Sequence, residues 1–235
     1  MRQLLLLLLL SWTLSAEAAT RFYFPANAAA AVNPTDSAEW EHTAGIARRA
    51  VTTPDASALI TEDYSPDAAD HLVDGDALFR QYVSDPVAVQ TIGAQSVTGQ
   101  FQTIENNAAN NISITVKLFV VSNDGATIKE TLLAITRDAT ESATALTNRT
   151  WSGGTTTSAN VEDGDRIVLE IGQGGTPTGA GGVQGHNGDI RWGNSASGGD
   201  LPVDDTETGT TFRGWIEFAN TITFQATSRR VMVVN

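Results

Sequence analysis

The residues able to do chemistry are few, and their spacing forms no known catalytic set. The three histidines, His42, His71 and His186, fall in neither a His-Glu-x-x-His nor a His-x-His arrangement. Each sits in a polar loop stretch, where a solvated side chain is the ordinary outcome. Gly-x-Ser-x-Gly is absent, so no nucleophile elbow is encoded. Carboxylates pair often, as Glu39/Glu41, Asp74/Asp76, Asp163/Asp165 and Asp204/Asp205. A glycosidase needs two carboxylates on opposite sides of a cleft, and spacing along the chain does not supply that.

Two of these pairs share a form. Asp74-Gly75-Asp76 and Asp163-Gly164-Asp165 place hard oxygen ligands on turns, the donor type calcium takes, although neither follows the EF-hand spacing. Asp74, Asp76, Asp163 and Asp165 are therefore the metal candidates, with calcium the one cofactor considered. Trp40, Trp151, Trp192 and Trp215 offer rings that stack on sugars. Trp151 and Trp192 flank Gly-rich stretches and are the better glycan candidates; Trp215 stands between strand-forming residues. Asn111-Ile112-Ser113 and Asn148-Arg149-Thr150 match the N-glycosylation sequon.

Ile112, Ile114, Val116, Leu118 and Val120 alternate with Ser113, Thr115, Lys117, Phe119 and Val121. A period of two over ten residues is a strand. Asn123-Asp124-Gly125 closes it as a turn, and Ile128–Thr136 answers as the next strand. Further strands are predicted over Thr20–Pro25, Ala44–Thr52, Leu78–Val83, around Val97–Ile104, and over Arg166–Ile171, Ile190–Trp192 and Gly214–Phe224. The first and last of these are aromatic-rich, and pairing them would remove one open edge from each. Residues 172–199 read as a long Gly-rich surface loop, and Ser37–Ala50 as holding at most one helical turn. Many short strands between Gly, Asn and Asp turns predict an all-β fold: a single antiparallel β-sandwich of jelly-roll type over residues 20–226.

Residues 1–19 are set apart. Met1-Arg2-Gln3, the run Leu4–Leu10 and Ala16-Glu17-Ala18 have the basic, apolar and small-residue order of a secretory signal. The apolar stretch is shorter than the ~20 residues a membrane helix needs, and no later run replaces it. Cleavage is expected before Ala19 or Thr20, giving a secreted or virion-surface location. The chain carries a formal net charge of −13 and only two lysines, Lys117 and Lys129. Such a surface repels phosphate backbones and argues against a nucleic-acid partner. With no cysteine, disulfides, thiolate metal sites and cysteine nucleophiles are excluded. The tail, residues 227–235, follows Arg229-Arg230 with Val231-Met232-Val233-Val234, an apolar end suited to adding to a neighbour's sheet edge.

Four segments taken in order resemble a known group: Thr20-Arg21-Phe22-Tyr23-Phe24-Pro25, Leu78–Pro86, Gly164–Gly172 and Gly214-Trp215-Ile216-Glu217-Phe218. They are similar to uncharacterised jelly-roll-type virion proteins of tailed bacteriophages and environmental viral sequences. The resemblance covers most of residues 20–225 and implies a capsid-decoration, head-fibre or tail-associated role. Its motifs are structural, so it transfers no functional residue. The leader departs from it, since virion proteins assemble in the cytoplasm; either the domain is exported or its start lies nearer Thr20. The reading is a non-catalytic structural or surface-display protein whose partners are copies of itself or another structural protein. The alternative is a secreted carbohydrate-binding module.

Overall fold

Ile112–Val121 is buried along its whole length, on both faces. That sets the plan of the molecule, because a strand covered on both sides lies inside a sheet with a layer above and below it. The structure is a computed structural model. It describes residues 19–40, 45–54, 60–64 (backbone), 75–105, 108, 111–175, 188–193, 199–206 and 212–226. In chain order the strands are β1 (Thr20–Tyr23), β2 (Arg48–Arg49), β3 (Ile60–Tyr64), β4 (Gly75–Val83), β5 (Gln90–Ile92) and β6 (Ser96–Glu105). They continue as β7 (Ile112–Val121), β8 (Ile128–Arg137), β9 (Thr147–Thr155), β10 (Ala159–Val161), β11 (Arg166–Gly175), β12 (Gly188–Trp192) and β13 (Trp215–Phe218). No helix occurs among the described residues.

The strands form an all-β, sandwich-like fold of two larger sheets and one small ladder, β5 with β10. One large sheet runs β2-β4-β11-β7-β8, antiparallel except for the short parallel contact of β2 with β4. The other is built on β6. One edge of β6 takes β9. The other edge is shared end to end: β13 pairs with Val97–Gln100 and β12 with Gln102–Glu105. Outside these lie β1, on β13, and β3, on β12.

The expected pairing of the terminal strands is present, with Thr20 opposite Phe218 and Tyr23 opposite Trp215. Phe22 meets Phe218 edge-on at 5.8 Å. The last strand is shorter than Gly214–Phe224: it stops at Phe218, and Phe224 makes an isolated bridge to Val87. Of the described residues of Ala44–Thr52, Arg48–Arg49 alone are strand. The Gly-rich loop is also shorter than expected, because β11 runs on to Gly175 and β12 begins at Gly188.

Between the two sheets lies one apolar core. Ile114, Val116, Leu118 and Val120 of β7 and Ile167, Leu169 and Ile171 of β11 supply one side; Phe22, Phe101, Ile190, Ile216 and Phe218 supply the other. The far face of the β7 sheet is covered by the segment before β2. There Ala30, Val32 and Ala47 close over Val83, Phe119, Val121 and Val168. The far face of the β6 sheet is covered by residues 200–206. Asn148 Nδ2 donates to the carbonyls of Pro202 and Asp204, and Trp215 Nε1 to that of Leu201.

Candidate functional site

The two tryptophans nominated as glycan platforms are core residues, which corrects that reading. Trp151 is 0% exposed and Trp192 1%. Trp192 is enclosed by Phe24, Tyr82 and Phe101, with ring centroids 6.0, 5.4 and 6.5 Å away. Trp151 Nε1 donates to the Thr136 carbonyl at 3.3 Å. Burying such a ring removes roughly 200 Å² from water, worth roughly 5 kcal/mol. An exposed platform would forgo that, so packing wins.

The acidic turns also resolve into structural roles. Asp76 reaches across β11, where Gly174 leaves room; a Cβ on Gly174 would lie 1.8 Å from Asp76 Oδ1. Its carboxylate accepts from Thr115 Oγ1 at 2.9 Å and from Arg137 Nε at 3.1 Å, tying β4 to β7 and β8. Its proposed mate Asp74 lies outside the described residues. Asp163 and Asp165 are separated by the turn. Asp163 is exposed, whereas Asp165 is buried, ion-paired to Lys129 at 2.9 Å and accepting from the Glu162 N–H. A calcium pair is therefore not formed there: alternate residues of this turn point to solvent and into the fold. Among the described residues no three acidic or histidine side chains gather into a metal-ligand group. His42, His71, His186 and Val231, Met232, Val233 and Val234 lie outside the described residues.

The chemically densest cluster was not singled out from the sequence. Gln81 of β4, Glu170 of β11 and Lys117 of β7 stand side by side across three strands, on the face away from the core. All three are buried. The segment before β2 brings Ser37, Glu39 and Trp40 over them. Glu170 Oε1 accepts from Ser37 N at 2.9 Å and Gln81 Nε2 at 3.1 Å; its Oε2 accepts from Trp40 Nε1 at 2.7 Å. Lys117 Nζ donates to Ser37 Oγ at 2.7 Å and pairs with Glu39 at 2.8 Å. Burial raises the Glu170 pKa, against the lowering effect of its three donors and Lys117. A serine beside a lysine has the composition of a Ser/Lys catalytic pair. Here the Glu39 carboxylate holds the ammonium, so the nitrogen donates to the hydroxyl and does not take its proton. The cluster is a latch. Its sequence signal was a charge set inside an apolar run of each strand, Lys117 between Val116 and Leu118 and Glu170 between Leu169 and Ile171.

A second network ties the terminal strands to residues 200–206. Arg21 pairs with Asp200 and Glu217, each at 2.8 Å, and lies 3.9 Å over the Trp215 ring. Asp200 also accepts from Tyr23 Oη at 2.9 Å and pairs with Arg213 at 3.0 Å. Two surface depressions among the described residues lie near these elements. One, of about 420 Å³, is lined by Phe22, Ala50 and Phe224, with the Arg49–Asp85 pair among its walls. The other, of about 580 Å³, is lined by Asn111, Ser113, Arg137, Asp138 and Glu141.

No family model and no curated protein matches this chain. Among solved structures it is similar to a CocE/NonD family hydrolase from Staphylococcus aureus, at 11% identity and a TM-score of 0.25. The match covers 89% of this chain and 35% of the hydrolase, so the chain spans about a third of that protein's length. A likeness at that score carries no argument about fold or activity.

Proposed function

We propose that the chain is a non-catalytic structural or surface-display protein that assembles with copies of itself or with another structural protein. The setting is a virion capsid or tail, or an extracellular layer. The domain is read as a single jelly-roll-type sandwich over residues 20–226, behind a cleaved leader.

One observation carries this reading. Asp76 and Asp165, which stood out as chemical candidates, and the buried Glu170 bind groups of the fold itself. Asp76 holds Arg137, Asp165 holds Lys129, and Glu170 holds Ser37 and Trp40. These bonds stiffen a body and fix its covering segments, which is what a display or lattice protein needs. The acidic surface keeps single copies dispersed until a specific contact forms.

Sedimentation velocity across a concentration series, with negative-stain microscopy of the native source, tests the reading. A defined oligomer or a regular particle or filament is expected. A monomer at every concentration, absent from any assembly in its source, overturns it. A glycan array addresses the carbohydrate-binding alternative, whose two nominated rings are inside the core.

A further inference from the structure

Building on that assembly reading, we propose that β9 is the edge at which a second copy docks, through its residues 229–234, and that Asp138 and Asp205 hold this edge shut. A sheet edge is an open row of backbone groups that invites another strand. The described edges of this protein are closed in different ways. Along β1, Tyr23 and Val51 exchange both backbone hydrogen bonds, at 2.8 and 3.1 Å. The ladder of β8 with β7 breaks register three times, and Thr157 N donates to the Leu132 carbonyl at 2.8 Å. Bulges and backbone partners of this kind are built into the chain path.

β9 has a bulge of its own at Ser152–Gly153, and there the edge is closed by side chains as well. Two of its N–H groups, those of Thr150 and Ser152, are held by side-chain carboxylates. Thr150 N donates to Asp205 Oδ1 at 2.7 Å. Ser152 N and Ser152 Oγ donate to Asp138 Oδ2 at 2.7 and 2.9 Å. Two residues apart on one edge is the spacing at which a single added strand presents its carbonyls. An incoming carbonyl can replace each carboxylate oxygen one for one; Asp205 turns aside without a change of chain path, and Asp138 does so by giving up the Thr140 N–H that its Oδ1 accepts at 2.8 Å. Asp138 also lines the larger depression, which leaves space beside the edge.

Charge identifies the occupant. The displaced groups, Asp138 and Asp205, are acidic, with Glu141 in the adjoining wall. Arg149 pairs with Asp205 at 3.8 Å, and Arg137, in the same wall as Asp138, is tied to Asp76. In this strongly acidic chain, Arg229-Arg230 directly precedes the apolar, valine-rich run Val231-Met232-Val233-Val234. Those arginines meet the released carboxylates while the apolar run supplies strand backbone. The segment reaches a second copy and not its own β9. Ala226 sits in the depression beside Phe22 of β1, on the far side of β13 and β6 from β9. Three strand spacings are about 14 Å straight through packed strands. The five residues from Ala226 to Val231 extend at most about 17 Å, too few to pass around the sheet.

The test compares full-length protein with D205N, with D138A/D205A, and with each of these lacking residues 228–235, by sedimentation velocity. Unfolding temperature is measured in parallel. Asp205 is half-exposed, so D205N keeps the fold even if the double variant does not. Opening the edge is expected to tighten association about tenfold in the double variant, with a smaller gain in D205N. Deleting 228–235 is expected to abolish the gain. Unchanged association in a folded D205N, or a gain that survives the deletion, overturns the proposal. If wild type associates and edge variants behave like it, only this inference fails; if no form associates, the assembly reading fails with it.

Discussion

Lys117 stands directly opposite Glu170 in the β7–β11 ladder, and Ser37 joins the two. The serine's backbone N–H donates to Glu170 Oε1 at 2.9 Å, and its hydroxyl accepts from Lys117 Nζ at 2.7 Å. A covering segment is thus fastened to a sheet face by hydrogen bonds to two buried side chains of opposite charge, and removing either leaves buried polar groups of the segment without a partner.

The Glu170 carboxylate gives a signed pH dependence. Its folded pKa is raised, chiefly by desolvation. Its contribution is therefore fully present below the ordinary glutamate range and is lost as pH rises through the raised value. E170Q cannot ionise and lacks this slope. Melting temperatures of both proteins from acid to neutral pH are expected to shift toward E170Q as pH rises. Parallel curves across that window contradict the assignment.

Lys117→Met is expected to cost about 1–3 kcal/mol, because it removes the buried donor to Ser37 Oγ and the cation that favours the charged Glu170. The double change with Glu170→Gln should recover part of that loss. Urea unfolding of the two variants and wild type measures the coupling; strict additivity would mean the two side chains do not share one network.

Val116 is fully buried on the core face of β7. Val116→Asp places an unpaired charge there and is expected to cost several kcal/mol, enough to remove a cooperative thermal transition. A melting temperature within a degree or so of wild type would put the strand in the opposite phase.

Trp192→Ala should cost about 3–5 kcal/mol by leaving a cavity among Phe24, Tyr82 and Phe101. The same change should leave binding on a glycan array unaltered. A loss of glycan signal without loss of stability would return Trp192 to the surface role first read for it.

Gly153 sits at φ +66° in the bulged part of β9, where a Cβ would lie 1.7 Å from the Val97 carbonyl oxygen. Gly153→Ala is expected to destabilise by more than about 2 kcal/mol, since the left-handed conformation alone costs about 1–2. Denaturant titration checks it.

Period-two alternation made β7 legible, and the turn at Asn123–Gly125 made its hairpin with β8 legible, because both signals are local. Aromatic residues at both ends suggested that β1 and β13 pair, and they do. Strand β9 was missed: Thr-Asn-Arg-Thr-Trp-Ser-Gly-Gly-Thr has a polar composition and two glycines, and only β6 beside it makes it a strand. Trp151 and Trp192 looked exposed because Gly-rich sequence flanks them. Burial depends on which distant strand faces a ring, and no neighbour in sequence carries that information.

By itself the sequence determined the all-β class, the strongest strands and their faces, the acidic surface and the absence of thiol chemistry. These follow from composition and from periods of a few residues. Tertiary structure alone decided that Glu170 and Lys117 share a covered cluster, that Asp76 crosses Gly174 to reach Arg137, and that aspartates close the edge of β9. Each of these joins residues far apart in the chain, and which ones meet is set by strand order and register.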